Sequence, residues 1–374
     1  MKRFPSSSVF VIFALLFALG ATPVSAAPAT TVALQNGADV SWLPEIERGG
    51  SKFYDAKGKA IDPLILMKQA GLKTARVRLW VQPSDQRSSI NEVLALAKRI
   101  KKAGLVFVLD FHYSDWWADP SSQTVPLAWQ GLNHAQLETK IGEYTASTLE
   151  RFALQNTSPQ WVQVGNEIAN GMLWPTGKLN TWSSEEFKRL TGLLNSASAA
   201  VRASAGKPKV MIHLETGGDS RKTASWLSNA LANNLTRPDA IGLSYYSQWG
   251  GPLSNLEKTI NVVANDFNFA VAIAETAYPN TRTSPTKQVL DSAKAPLPGF
   301  AISPSGQAAY ATKSCAVLRA NSGAKSLGVW WWEGLSPNKS KLTDELGPSY
   351  VSSSSLVTLA GRANAAMLAL GKCK

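Results

Sequence analysis

The sequence predicts an α/β protein built as a single (β/α)₈ barrel of the TIM type. Three observations lead there: eight short apolar runs that end in polar residues, amphipathic segments between them, and a chain of 374 residues with no low-complexity linker or internal repeat to divide it. A doubly wound open sheet would also alternate strand and helix. It usually carries a glycine-rich turn after its first strand, and no such turn follows the first run here.

The runs appear in order as "GADVSWL" from Gly37, "TARVRLW" from Thr74, "LVFVLDFH" from Leu105, "WVQVGNE" from Trp161, "KVMIHLE" from Lys209, "AIGLSYY" from Ala240, "AVAIAET" from Ala270 and "SLGVWWWE" from Ser326. Their Val, Ile and Leu content suits strands covered on both faces. Between them, 90–104 places apolar residues at helical spacing before a Gly stop, and 139–154, 184–206 and 306–323 repeat the pattern. The serine run at 352–355 reads as a surface loop before a last helix.

Residues 1–26 read as a secretory signal peptide: Lys2 and Arg3 precede an apolar stretch of about a dozen residues, and small residues lead to a cleavage point near Ala26. That stretch is shorter than the ~20 residues a membrane-spanning helix needs. The expectation is a protein exported to the extracellular space or periplasm, with the barrel occupying 27–374. Cys315 and Cys373 would then meet an oxidising compartment, either bridged or as free thiols. His112, His134 and His213 form no metal motif. The formal net charge of +12 is scattered in short clusters such as "KRIKKAG", which reads as a solvated helix end, so no nucleic-acid partner is expected.

In a barrel of this kind the chemistry sits at the C-terminal ends of the strands. Collecting those ends gives Asp110 and His112, Asn166 and Glu167, Glu215, Tyr245 and Tyr246, Glu275 and Glu333, while Arg76, Arg78 and Trp80 share one face of the second strand. Several of the 13 Trp residues, Trp116 and Trp332 among them, fall in strand-end loops. Flat apolar rings edged with polar groups suit sugars. Cleaving a glycosidic bond needs one carboxylic acid to protonate the leaving oxygen and a second carboxylate to attack or to activate water, and Glu167 and Glu275 stand three strands apart for that purpose. Asn166 is expected to hydrogen-bond the sugar 2-hydroxyl, and Arg78 to hold Glu275 ionised.

The runs "GADVSWLPEIERGGSKFYDAKGK", "RVRLW", "DFHYSDWWADPSSQTVPLAW", "VQVGNEIANGMLWP", "LSYYSQWGG", "AETAYP" and "SPSGQAAY" together resemble the family 53 glycoside hydrolases, the endo-β-1,4-galactanases, over nearly the whole mature length. The resemblance implies an acid/base at Glu167, a nucleophile at Glu275 and retaining double displacement on β-1,4-galactan, the side chain of pectic type I arabinogalactan. Around this pair, the strands and their end loops supply a supporting set of Arg78, Asp110, His112, Asn166, Tyr246, Trp116, Trp332 and Glu333. Departures stand at "HLETGGD", "YYSQWGG" and "WWWEGLSP", in loops that line sugar-binding positions. The segment "PNTRTSPTKQ" contains no Asp or Glu, so no essential metal is expected, and no cofactor. The expected partner is galactan or its oligosaccharides, with no membrane and a monomeric protein. Two rivals share these residues: a related barrel glycanase acting on mannan or another β-1,4-glycan, and a glycan-binding barrel without chemistry.

Overall fold

The computed structural model describes residues 1–2, 33–281, 297, 299–337 and 353–373. The chain divides into Met1–Thr31 and Val32–Lys374. The expected signal peptide lies almost wholly outside the described residues, as does most of "PNTRTSPTKQ".

Within the second unit all eight apolar runs are parallel strands: β1 (Gly37–Asp39), β2 (Thr74–Leu79), β3 (Val106–Phe111), β4 (Trp161–Val164), β5 (Lys209–Leu214), β6 (Ala240–Ser244), β7 (Ala270–Thr276) and β8 (Ser326–Trp331). They close in sequence order, with β8 pairing back onto β1. Closure leaves the barrel sheet without an edge. A helix follows each strand: α1 (Pro63–Gln69), α2 (Ile90–Ala103), α3 (His134–Leu154), α4 (Ser184–Ala203), α5 (Ser220–Ala232), α6 (Leu253–Asn261), α7 (Pro304–Ser322) and α8 (Ala365–Lys372).

Local chemistry sets the helix starts. Asn133 and Gln136 form a reciprocal capping box at α3, Ser183 and Glu186 do the same at α4, and Asp62 and Asp219 accept a backbone N–H at α1 and α5. Gly104 ends α2 in the left-handed region. At β1 only glycine fits, since a Cβ on Gly37 would lie 2.0 Å from the Thr74 carbonyl oxygen.

One core fills the space between strands and helices, with Val162, Val210, Ile212, Ile241, Val271 and Ile273 facing apolar helix residues such as Leu190, Trp226 and Leu318. A smaller cluster of Val108, Met211, Ala240, Ala272, Ala274 and Trp330 forms separately. The serine run departs from expectation: Ser353, Ser354 and Ser355 are buried. Their carbonyls take hydrogen bonds from Asn280 N–H at 2.7 Å, Trp331 Nε1 at 2.7 Å and Asn364 Nδ2 at 2.8 Å. Small side chains let the backbone pass close beneath the barrel rim.

The C-terminus is tied back twice. Cys315 on α7 and Cys373 after α8 are bridged. Buried Asn36 accepts from Val329 N–H at 2.9 Å and donates to the Leu370 carbonyl at 3.0 Å, joining β8 to α8. Asn36→Ala would remove the Val329 N–H's acceptor and leave the Leu370 carbonyl with only the Cys373 N–H, and we expect a loss of about 1–3 kcal/mol of unfolding free energy, measured by denaturant titration.

Candidate active site

Arg76 projects into the barrel centre and is 1% exposed. Its five N–H groups meet five acceptors: Nε donates to Gln163 Oε1 at 3.0 Å, Nη1 faces Asp39 Oδ2 at 2.8 Å and Glu275 Oε1 at 2.9 Å, and Nη2 faces Asp110 Oδ2 and Asn166 Oδ1, each at 2.8 Å. A guanidinium has five such hydrogens in a fixed plane, so the arrangement exhausts it. Gln163 also donates to Asp110, and His112 Nε2 lies 3.2 Å from Asp110 Oδ2. Burial would raise the Asp110 carboxyl, but Arg76 and His112 hold it below its ordinary value.

Above this layer opens a cleft of about 1310 Å³ whose lining includes Glu167, Glu275, Asn166, Tyr246, Trp116 and Trp332. Gly165 (φ +81°) and Glu167 (φ +52°) turn the chain sharply after β4, which lifts the Glu167 carboxyl into the cleft. One carboxylate oxygen of Glu167 and one of Glu275 lie within 4.8 Å of each other, with a ring nitrogen of His213 equally near. Those three groups have the geometry to hold a cation, yet each is already hydrogen-bonded or ion-paired within the protein.

The two carboxyls stand in unlike surroundings. Burial and then Glu275 and Glu215 push Glu167 well above the ordinary carboxyl range, and its close partner is the Ser244 hydroxyl, 2.6 Å away. Burial also raises Glu275, to about 7, but Arg76 opposes the rise and Tyr246 OH donates to it at 3.0 Å. A shared proton therefore resides on Glu167, and Glu275 is the first of the two to ionise.

The expectation that Arg78 holds Glu275 is corrected. Arg76 does so, and Arg78 Nη1 instead pairs with Glu333 Oε1 at 2.6 Å. Two residues further along β2, the Arg78 guanidinium sits among Trp42, Trp80 and Trp117 at 5.0, 5.2 and 4.2 Å from their rings, on the side where Glu333 enters from the end of β8. Glu333 is buried beneath the Trp42 N–H and, like Asp110, supports the floor without lining the cleft. His112 Nδ1 accepts from Ala118 N–H at 3.1 Å. Asn166 Nδ2 spends one hydrogen on the Ala118 carbonyl at 2.9 Å, leaving the other for a ligand. Trp116 is 42% exposed at the rim and packs on Trp80.

The profile of Glycosyl hydrolase family 53 matches residues 35–370. The chain belongs to that family. An endo-β-1,4-galactanase of Bacillus subtilis is 33% identical over 307 residues, covering 79% of this chain and 69% of its own length. An arabinogalactan endo-β-1,4-galactanase of Thermothelomyces thermophilus is 32% identical over 304 residues, covering 79% of this chain and 88% of its own. Among solved structures, one of a pair of fungal β-1,4-galactanases superposes with a TM-score of 0.80 at 29% identity, covering 91% of this chain and all of that one. The family 53 catalytic domain of Ignisphaera aggregans reaches 0.82 at 28%, covering 92% and 97%.

Four members of this family 53 site escaped the sequence reading: Asp39, Gln163, His213 and Ser244. Each is an inward-facing polar residue within a strand, and period two was the available signal: Gln163 precedes Gly165 by two and His213 precedes Glu215 by two. Glu215, named as a strand end, also lines the cleft.

The raised carboxyls carry a stability consequence. Glu275 and Glu45, each pushed up to about 7, together with Glu167, Glu215 and Glu333, bind protons in the folded chain that an unfolded chain releases near 4.5. The folded state thus holds more protons between about 4.5 and 7, and stability falls as pH rises through that window. His213, held neutral by burial and Arg76, acts oppositely, but among the described residues it is one group against five. Chemical denaturation at pH 5 and 7.5 is expected to show greater stability at pH 5, by on the order of 2 kcal/mol.

Proposed function

We propose that this chain is a secreted, monomeric endo-β-1,4-galactanase that hydrolyses galactan or the galactan side chains of type I arabinogalactan by retaining double displacement. Glu275 serves as the nucleophile and Glu167 as the acid/base. The observation that carries the reading is the separation of the two carboxylates, whose nearest oxygens lie within 4.8 Å across an open cleft. Retaining glycosidases hold their carboxyls about 5–5.5 Å apart, whereas inverting ones leave ~6.5–9.5 Å for an intervening water. Membership of family 53 supports the substrate class. Among the described residues no helix is long and apolar enough to cross a membrane. Export is inferred from Lys2, Arg3 and the apolar stretch after them.

The chemistry follows from the surroundings. Arg76 and Tyr246 keep an oxygen of Glu275 ionised and aimed, so it attacks the anomeric carbon as the glycosidic C–O bond breaks. Glu167, carrying the proton, delivers it to the departing oxygen. In the second step Glu167 takes a proton from water, the hydroxide adds to the same carbon, and Glu275 leaves. The free hydrogen of Asn166 Nδ2 meets the 2-hydroxyl, and the rings of Trp116 and Trp332 offer stacking faces for neighbouring sugars.

The purified protein is expected to release reducing ends from galactan, with the β-anomer first by proton NMR, and Glu275→Gln to release none. Binding to galactan without release by the wild type would overturn the enzyme reading. Glu167→Ala should lower galactan hydrolysis at least ~100-fold while sparing formation of the glycosyl-enzyme from aryl galactosides with activated leaving groups. Equal losses on both substrates would remove the acid role.

A further inference from the structure

The hydrogens around Glu167 can be counted, and the count closes in one way. Asn166 has a fixed orientation: its Oδ1 accepts from Arg76 Nη2 at 2.8 Å and its Nδ2 donates to the Ala118 carbonyl at 2.9 Å. His213 Nδ1 lies 2.9 Å from that same Oδ1. An oxygen that is an acceptor requires a hydrogen on the facing ring nitrogen, so His213 carries one on Nδ1. Gln163 Nε2, 3.1 Å from Nδ1, has three oxygen acceptors for its two hydrogens: Asp110 Oδ1, and the Gly165 carbonyl and Asn166 Oδ1, each at 3.1 Å. A buried neutral imidazole has no second hydrogen, so Nε2 is bare and accepts from the Ser244 hydroxyl, 2.8 Å away. Ser244 has then spent its only hydrogen. Its oxygen nevertheless lies 2.6 Å from Glu167 Oε1, and the hydrogen between them has to come from Glu167.

We propose that Ser244 and His213 are positioning residues that park a proton on Glu167 Oε1 in the free enzyme, so that the acid is loaded before substrate arrives. The proposal rests on the acid/base assignment of Glu167 made above. On binding, the parked hydrogen turns from Ser244 to the glycosidic oxygen. It transfers as the C–O bond breaks and Glu275 bonds to the anomeric carbon, and Glu167 becomes a carboxylate. The Ser244 hydroxyl then swings to donate to that carboxylate, which leaves His213 Nε2 without a donor. When Glu167 takes a proton from water in the second step, Ser244 returns to His213 and the starting count is restored. The unpaired ring nitrogen makes that recapture favourable.

Other charges bear on these groups and are part of the test. Glu275 on β7, Glu215 after β5 and Asp119 in the loop after β3 face Glu167, and Arg76, Asp110 and His112 face His213. Lys222 lies 3.6 Å from Glu215, and Tyr246 bonds Glu275.

The experiment is nitrogen-15 NMR of His213 in the wild-type protein across the pH range. The expected result is a neutral ring bearing its hydrogen on Nδ1 throughout, with the bare Nε2 resonance shifting with the same midpoint as Glu167. Glu167→Gln, whose amide donates permanently, should freeze that resonance at its low-pH position, and Ser244→Ala should abolish the pH-dependent shift. A hydrogen found on Nε2, or an Nε2 resonance indifferent to Glu167, overturns the proposal even if Glu167 passes the leaving-group test. Failure of the leaving-group test with the Nδ1–H tautomer intact would instead remove the acid role. In turnover, Ser244→Ala is expected to slow galactan about 3- to 10-fold more than activated aryl galactosides.

Discussion

The site is organised by the buried guanidinium of Arg76. It neutralises part of three carboxylates drawn from β1, β3 and β7 and orients two amides from β4 and the turn after it. A lysine offers three donors from a point charge and leaves at least two of those acceptors unmet. Breaking such a group from one side costs more than it contributes intact, because an uncompensated charge stays behind in a dry interior. The barrel closes around this ion, and its position fixes where Glu275 and Asn166 stand.

That single cation faces Asp39, Asp110 and Glu275 together, and the surplus of negative charge sets the electrostatics above it. Glu275 is raised because burial and the two aspartates outweigh the guanidinium, yet it retains two donors suited to its ionised form. Among the described residues, the Glu167 carboxyl bonds a hydroxyl, and the charges that bear most on it are the acidic Glu275, Glu215 and Asp119. The difference between two identical side chains is therefore made by the layer beneath them. In the proposed mechanism, proton donor and nucleophile follow from which of them Arg76 touches.

The barrel was legible in the sequence because each strand announces itself as an apolar run with a polar terminus, and all eight lie where the runs are. The proposed catalytic pair was legible too, since Glu167 and Glu275 stand at the ends of largely apolar runs. What escaped was pairing. Arg76 and Arg78 share one face of β2, and their spacing says nothing about which guanidinium reaches across to β7 and which leans toward the end of β8. The buried serines at 353–355 escaped too, because composition suggests solvent while their role is to let backbone carbonyls serve as acceptors inside the rim. Ser244 and His213 were hidden as single polar residues within apolar strands, where a satisfied core group is the ordinary reading.

A second layer shows how much of the mouth is rigid by construction. Arg78, with three indole faces around it and Glu333 as its counter-ion, forms a wall in which the charge is shielded by rings and the rings are held by the charge. Glu333 occupies the left-handed region at φ +47°, as Glu167 does at φ +52°, and they lie two and three residues past the ends of β8 and β4. Backbone in that region costs about 1–3 kcal/mol and persists only where surrounding contacts over-determine it. At Glu333 the contacts are Arg78 and the Trp42 N–H. At Glu167 they are Gln123, whose Nε2 donates to the Asn166 carbonyl at 2.8 Å and the Glu167 carbonyl at 3.4 Å, and Ser244 with, through it, His213, Asn166 and finally Arg76. The same chain of hydrogen bonds that counts the proton onto Glu167 thus joins Gln123 in holding its strained backbone. Placement and protonation of the acid have a common origin in the ion at the barrel centre.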